Sequence, residues 1–201
     1  MKLDEFYSAA PKFIASFPMA AMIPASSEPE IAFIGRSNVG KSSLINAIFK
    51  SPLAKTSSTP GRTQTMNFFE KAKMLMVVDL PGYGFAEAPV KIVEEWNRQL
   101  RLYLSGRAQL KRVFLLIDSR RGLADVDIEM MGMLDTAGVS YQVVLTKTDK
   151  LKPAEIAAAR ESLDAIFKKH PAMHPDILTS SSSDGTGLDL LRRTIMGVAR
   201  V

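Results

Sequence analysis

The residues best placed to do chemistry are Gly35-Arg36-Ser37-Asn38-Val39-Gly40-Lys41-Ser42. They fit the pattern G-x-x-x-x-G-K-[ST]. In that pattern the glycines let the backbone wrap an anion with no Cβ in the way. Successive N–H groups then point inward, helped by the positive end of the helix that follows. Lys41 can reach the outer phosphates of a nucleoside triphosphate, and the Ser42 hydroxyl can ligate Mg2+. Ser43 continues the run of small residues at the helix start. A chance glycine-rich turn can match such a string. Here it follows an apolar strand-like run, Ile31–Ile34, and precedes a helical run, Ser43–Phe49, which is the context the motif requires.

A second cluster speaks to the base. Tyr141–Leu145 reads as a buried strand, and Thr146-Lys147-Thr148-Asp149 follows at its end. A carboxylate at Asp149 can accept from both the ring N–H and the exocyclic amine of guanine. Adenine offers no such pair and would leave the charge unpaired. The Lys147 stem can lie along the base plane. A solvated charged loop yields the same four residues often, so the weight comes from their place at the carboxyl end of a strand.

Between these clusters, Met74–Val78 is another buried-strand run ending in Asp79-Leu80-Pro81-Gly82, a D-x-x-G string. Asp79 is suited to hold Mg2+ through water, and the Gly82 amide to contact a γ-phosphate. Alone, it is an ordinary Pro-Gly turn. Its order and spacing with the other two strings favour the nucleotide reading. Thr56–Thr65 is rich in small polar residues and reads as a switch loop, which needs a hydroxyl that meets the metal when the γ-phosphate is present. Composition does not choose among its hydroxyls. Finally, Ser180–Ser183 with Gly185 and Gly187 lies between a short strand, Ile177–Thr179, and a helix, Leu188–Ala199, where small residues let backbone approach the guanine carbonyl.

The chain resembles the EngB (YsxC) family of bacterial ribosome-biogenesis GTPases. The resemblance is carried by the phosphate loop through Ser43, Thr59-Pro60-Gly61-Arg62-Thr63-Gln64, Asp79-Leu80-Pro81-Gly82-Tyr83-Gly84-Phe85-Ala86, and the Thr146–Asp149 box. It runs from about Pro29 to the carboxyl terminus. It implies that Gly61, Arg62, Thr63, Gln64 and Thr65 line the nucleotide site and that Thr63 is the Mg2+-ligating switch threonine beside Ser42 and Asp79. It implies catalytic roles for Lys41, Thr63 and Gly82. Of the four serines it favours Ser180 and Ser181. It further implies GTP and GDP as ligands, the large ribosomal subunit or its rRNA as partner, and a link to cell division and septation. DNA is not an expected partner. An RNA-modifying or transport-coupled GTPase would need a further domain, and a metabolic P-loop kinase would lack the guanine reader.

These residues need a scaffold of alternating strands and helices. Val113–Ile117 adds a buried strand, Val90–Leu104 and Met130–Ala137 read as helices, and Ala154–Lys168 forms another, opened by Pro153 and closed by Pro171. Asn67–Glu70 followed by Met74–Val78 reads as an antiparallel hairpin. Such alternation implies a mainly parallel sheet covered on both faces. With the resemblance it predicts an α/β fold: a three-layer P-loop GTPase domain on a six-stranded sheet. Residues 29–201 form the GTP-binding domain, and residues 1–28 an extension packing on it.

The 201 residues include no cysteine, which excludes disulfide and thiolate-metal chemistry. The two histidines, His170 and His174, lie near prolines in a loop and read as surface residues. Apolar patches at Phe13–Phe17 and Met19–Ile23 are broken by Pro11, Pro18 and Pro24, a poor signal peptide or membrane span, so the expected compartment is cytoplasmic. The net charge of +5 permits RNA contact. Arg98, Arg101, Arg107, Lys111 and Arg112, with the doublets Arg120-Arg121 and Arg192-Arg193, are the candidate rRNA-facing residues.

Hydrolysis needs a polarised water. Where Ras-like proteins carry glutamine after the D-x-x-G glycine, this chain has Tyr83, so slow intrinsic hydrolysis is expected. Asn38 offers one substitute: GTPases with G-x-x-N-x-G-K-S include members that hold K+ against the phosphates through that asparagine.

Overall fold

The computed structural model describes residues 2–54, 65–84 and 89–199. Along them run α1 (Leu3–Tyr7), β1 (Lys12–Phe17), a 3-10 turn (Ala20–Met22), β2 (Glu30–Gly35), α2 (Lys41–Phe49), β3 (Met66–Lys71) and β4 (Leu75–Asp79). Then follow α3 (Val90–Gly106), β5 (Leu110–Asp118), α4 (Asp125–Ala137), β6 (Tyr141–Thr146), a 3-10 turn (Thr148–Lys150), α5 (Pro153–Phe167), β7 (Leu178–Thr179) and α6 (Leu188–Val198). The strands form one sheet in the order β1-β3-β4-β2-β5-β6-β7. β2, β4, β5, β6 and β7 are parallel, and β3 and β1 add antiparallel on one side. From β2 the chain builds β3 and β4 on one flank, then crosses to β5 on the other. The crevice at the carboxyl ends of β2, β4 and β5 is therefore a topological switch point, where open α/β sheets bind ligands.

The sheet has seven strands among the described residues, not the six expected. The extra one is β1, paired with β3 from Lys12↔Glu70 to Phe17↔Met66 with a bulge between Phe13 and Ala15. Pro11 and Pro18 bracket it, and proline is tolerated at a sheet edge where no ladder N–H is needed. Most of its residues are exposed or half-buried, so it lacks the alternation that marks a half-buried strand.

Period-two alternation explains the layering. On β2, Ile31 and Phe33 join one core with Leu44, Ile45 and Ile48 of α2 and Leu191 and Ile195 of α6. Ala32 and Ile34 face the opposite core, with Trp96 and Leu100 of α3 and Met130 and Leu134 of α4. β5 divides likewise, Phe114 and Leu116 to the first core, Val113, Leu115 and Ile117 to the second. The expectation of surface histidines fails for His170. It is 8% exposed, and its Nδ1 lies 2.6 Å from Asp135 Oδ2 on α4, a partner that makes burial of the imidazole tolerable.

Several candidate RNA-facing arginines are spent internally. Arg107, just after α3, donates through Nε to Glu30 Oε1 and Oε2 at 2.9 and 3.0 Å and through Nη1 to the Pro24 carbonyl. Glu30 is fully buried at the start of β2 and also accepts from the Tyr103 hydroxyl. Arg192 donates to the Ala47 and Ile48 carbonyls at the end of α2, whereas Arg98 stays exposed in a surface pair with Glu95. Arg101, Lys111, Arg121 and Arg193 remain exposed. Removing one partner of a buried pair strands the other charge. Arg107→Ala is therefore expected to lower unfolding free energy by about 3–5 kcal/mol in a denaturant titration. A loss below ~1 kcal/mol, the range of a surface pair, would show that Glu30 is solvated despite its burial.

Candidate nucleotide-binding site

The phosphate loop leaves β2 at Gly35 and enters α2 at Lys41. Gly40 caps that helix with φ of 99°, a conformation L-residues avoid, and its carbonyl accepts the first helical bond from Leu44 N–H. The first-turn N–H groups of α2 have no intrahelical partner, which makes this end a ready anion site. The loop is fixed from β6. The Thr146 hydroxyl donates to the Val39 carbonyl at 2.7 Å, and Lys147 Nζ donates to the Asn38 carbonyl at 2.6 Å. Val39 is buried in the core beneath the loop, whereas Asn38 and Ser43 are exposed.

The Asp79–Gly82 string runs beside this loop. Leu80, fully buried, donates its N–H to the Phe33 carbonyl. After Pro81, Tyr83 N–H donates to the Gly35 carbonyl at 3.2 Å and Ser37 N–H to the Tyr83 carbonyl at 3.1 Å. Gly82 lies so close that a Cβ there would come within 3.1 Å of the Gly35 oxygen and 3.3 Å of the Ser37 nitrogen. Lys41 Nζ forms an ion pair with Asp79 Oδ1, the two side chains 13% and 9% exposed. Half-buried Ser42 sits next to this pair in sequence. The loop ammonium and the strand-end carboxylate are thus brought to one place.

At the other side of the cleft, Lys147 takes a left-handed backbone, φ of 59°, and its ammonium also pairs with Asp118 Oδ2 at 2.9 Å. Asp149 Oδ1 accepts from the Ser181 hydroxyl at 2.8 Å, and its Oδ2 lies 3.1 Å from Lys150 Nζ. These partners hold its carboxyl below the usual carboxylate range. The Thr148 N–H donates to the Ser180 carbonyl, which stitches the two boxes together. Ser180 and Ser181 are buried, and Ser182 and Ser183 are exposed. Thr65 donates its hydroxyl to Asn67 Oδ1. Gly61, Arg62, Thr63 and Gln64 lie outside the described residues.

Sequence reading missed two acids. Asp118 ends β5 and accepts from Arg120 Nε at 2.9 Å and Nη2 at 2.7 Å as well as from Lys147. Burial pushes its carboxyl up, but the hydrogen bonds from Arg120 and Lys147 outweigh it and leave the group well below the usual range. An acid closing a buried central strand was the available signal. The second is Asp127, fully buried in the first turn of α4. It accepts from the Tyr83 hydroxyl at 2.7 Å and the Ala124 N–H at 2.9 Å, and its Oδ2 lies 3.9 Å from Arg36 Nη1. No spacing rule in the sequence links residues 83 and 127. Burial, and then the Asp127 charge, push the Tyr83 phenol far above its ordinary range.

The family described as "50S ribosome-binding GTPase" matches residues 30–147. The chain is 54% identical over 176 residues to a probable GTP-binding protein EngB of Rhodospirillum rubrum, covering 85% of this chain and 76% of the relative. It is 50% identical over 184 residues to one from Bradyrhizobium diazoefficiens, covering 90% and 85%. Its fold is similar to a crystal structure of a probable GTP-binding protein EngB with a TM-score of 0.69 at 23% identity, covering 85% of this chain and 98% of that one.

The Tyr83 hydroxyl is committed to Asp127 rather than to the cleft. Tyr83→Phe is expected to cost about 1–3 kcal/mol of stability, because a buried carboxylate oxygen loses its donor. Denaturant unfolding alongside a GDP titration checks this. Unchanged stability with lost nucleotide affinity would place the hydroxyl in the binding site instead.

Proposed function

The chain belongs to the EngB family of GTP-binding proteins and is a GTPase, and from that premise we propose that it works as a GTP-driven switch in assembly of the large ribosomal subunit. The observation that carries this reading is the single cleft formed by three separated strings. Lys147 touches the phosphate loop, Asp149 is held by Ser181, and Asp79 meets Lys41. The matched family's description supports the ribosomal partner. A link to cell division and septation and a cytoplasmic location belong to the same proposal and rest on the family resemblance. Among the described residues no helix is long and apolar enough to cross a membrane.

In this reading Asp149 accepts two hydrogen bonds from guanine, and Ser180 and Ser181 bring small backbone to the base. Gly35 to Ser43 wrap the phosphates, and Lys41 exchanges Asp79 for the outer phosphate oxygens. Ser42, Thr63 and Asp79 hold Mg2+. Hydroxyl and carboxylate oxygens suit this hard cation, and among the described residues no cluster of three or more His, Cys, Asp or Glu competes for a different metal. When bound, Mg2+ neutralises charge developing on the phosphate oxygens. The Gly82 amide reports the γ-phosphate. Tyr83, 6% exposed and bonded to Asp127, supplies nothing to align a water, so intrinsic hydrolysis is slow. K+ held by Asn38 is the proposed source of added charge.

The ribosomal role predicts that the protein co-sediments with large-subunit particles when loaded with a non-hydrolysable GTP analogue and is released with GDP. Asp149→Asn should transfer this dependence to the xanthosine analogue, because xanthine accepts where guanine donates. Co-sedimentation indifferent to nucleotide would reject the switch. The ion proposal predicts faster hydrolysis in K+ than in Na+ at equal ionic strength, by about 10²-fold if the ion replaces one electrostatic donor, with the difference abolished by Asn38→Ala. Equal rates in the two salts would leave Asn38 a structural residue.

A further inference from the structure

At the sheet edge remote from this cleft lies a cavity of about 430 Å3, within the range of small-ligand sites. Arg112 of β5, Gln142 of β6, Arg160 of α5, His174 and Asp176 before β7 and Thr194 of α6 supply its polar wall. Arg112 stands six residues before Asp118, so about 20 Å of extended strand separates it from the nucleotide cleft.

The polar wall sets two guanidinium groups against one carboxylate, that of Asp176, and is incompletely satisfied. Arg112 donates through Nη1 to Gln142 Oε1 at 3.2 Å, and Gln142 is locked by its own Nε2 donating to the Asp176 carbonyl at 2.9 Å. Arg112 Nε is buried without a hydrogen-bond partner, an unusual cost for a guanidinium. Burial pushes the Arg112 pKa down, and the Asp176 charge offsets this in part. That carboxylate is 77% exposed and lies 3.9 Å from His174 Nδ1. His174 Nδ1 accepts from the Asp176 N–H at 3.1 Å, which puts the proton of the neutral ring on Nε2. Among the described residues Arg160 has no ion-pair or hydrogen-bond partner. Ile177, Leu178, Leu190 and Val198 supply its apolar wall.

We propose that this cavity is a second anion site that takes a phosphate ester, independent of the GTP cleft. Two guanidinium groups and an imidazole N–H from three different elements suit the several outward oxygens of a phosphate better than the two coplanar oxygens of a carboxylate. The apolar wall receives the organic part of the ester. The phosphate belongs either to a free nucleotide or to one residue of an RNA strand.

The test uses the full chain saturated with GDP, so that the phosphate loop is filled. Inorganic phosphate, AMP and a short single-stranded oligoribonucleotide are titrated while amide resonances of Gln142, His174 and Leu178 are followed by NMR. Saturable shifts are expected, with affinity reduced about tenfold in Arg160→Gln and in Arg112→Gln and GDP affinity unchanged. Arg160 is exposed, so its variant remains informative if Arg112→Gln fails to fold. The oligonucleotide binding tightest, with steep salt dependence, identifies an RNA strand as the source. AMP binding as tightly identifies a free nucleotide. No saturation on the order of 10 mM, wild-type affinity in Arg160→Gln, or acetate binding as tightly as phosphate would overturn the proposal.

Discussion

The Lys147 ammonium is the strut on which the cleft depends. It donates to the Asn38 carbonyl of the phosphate loop and pairs with Asp118 at the end of β5, so one side chain joins loops that follow three different strands. Its reach explains two local features. Lys147 turns into the left-handed region to send its stem back across the loop, and Gly40 faces that stem, with a Cβ there meeting Lys147 Cε at 3.4 Å. The Thr146 hydroxyl adds a second tie to Val39, so both residues that open the guanine box also shape the phosphate loop. The Thr146–Asp149 string and the Gly35–Ser42 loop are therefore one mechanical unit.

Charge is placed at both ends of the sheet by the same economy. At the carboxyl ends, Asp79 and Asp118 are buried acids, each held by a lysine of the site. At the amino end of β2, Glu30 is buried and held by Arg107. Strands buried on both faces leave ends where loops meet, and each buried acid there requires a cation nearby. Lys41, Lys147 and Arg107 are held this way, one cation to each acid, so the net charge of +5 is untouched while these three groups are tied to the fold. What remains for a partner is the set of exposed residues such as Arg101, Lys111, Arg121 and Arg193.

The fold was legible wherever local pattern decides structure. Runs such as Val113–Ile117 and Met74–Val78 are apolar because both faces are buried, and Pro153 opens α5 at the residue its ring favours. The candidate cleft was legible to the extent that its strings stand at strand ends, where the sheet brings them into contact. β1 escaped because an edge strand owes its existence to its neighbour β3 rather than to its own alternation. His170 was misread because its partner, Asp135, stands on another helix, and Asp118 and Asp127 were passed over because their contacts are made across the fold.

Asp127 carries the longest consequence of such unseen contacts. It joins the residue after Gly82, a phosphate-loop arginine and the start of α4 at one carboxylate. Gly82 runs close against the loop, where a Cβ would press on Gly35 and Ser37. A displacement of Gly82 would therefore be felt at Tyr83, the next residue. The Tyr83 ring sits in the core shared with α3 and α4, and its hydroxyl is bonded to the first turn of α4. A close-packed core of this kind transmits displacement rather than absorbing it. The buried tyrosine after Gly82 thus ties the strand-end string to the helical layer through one packed ring and one hydrogen bond to the first turn of α4.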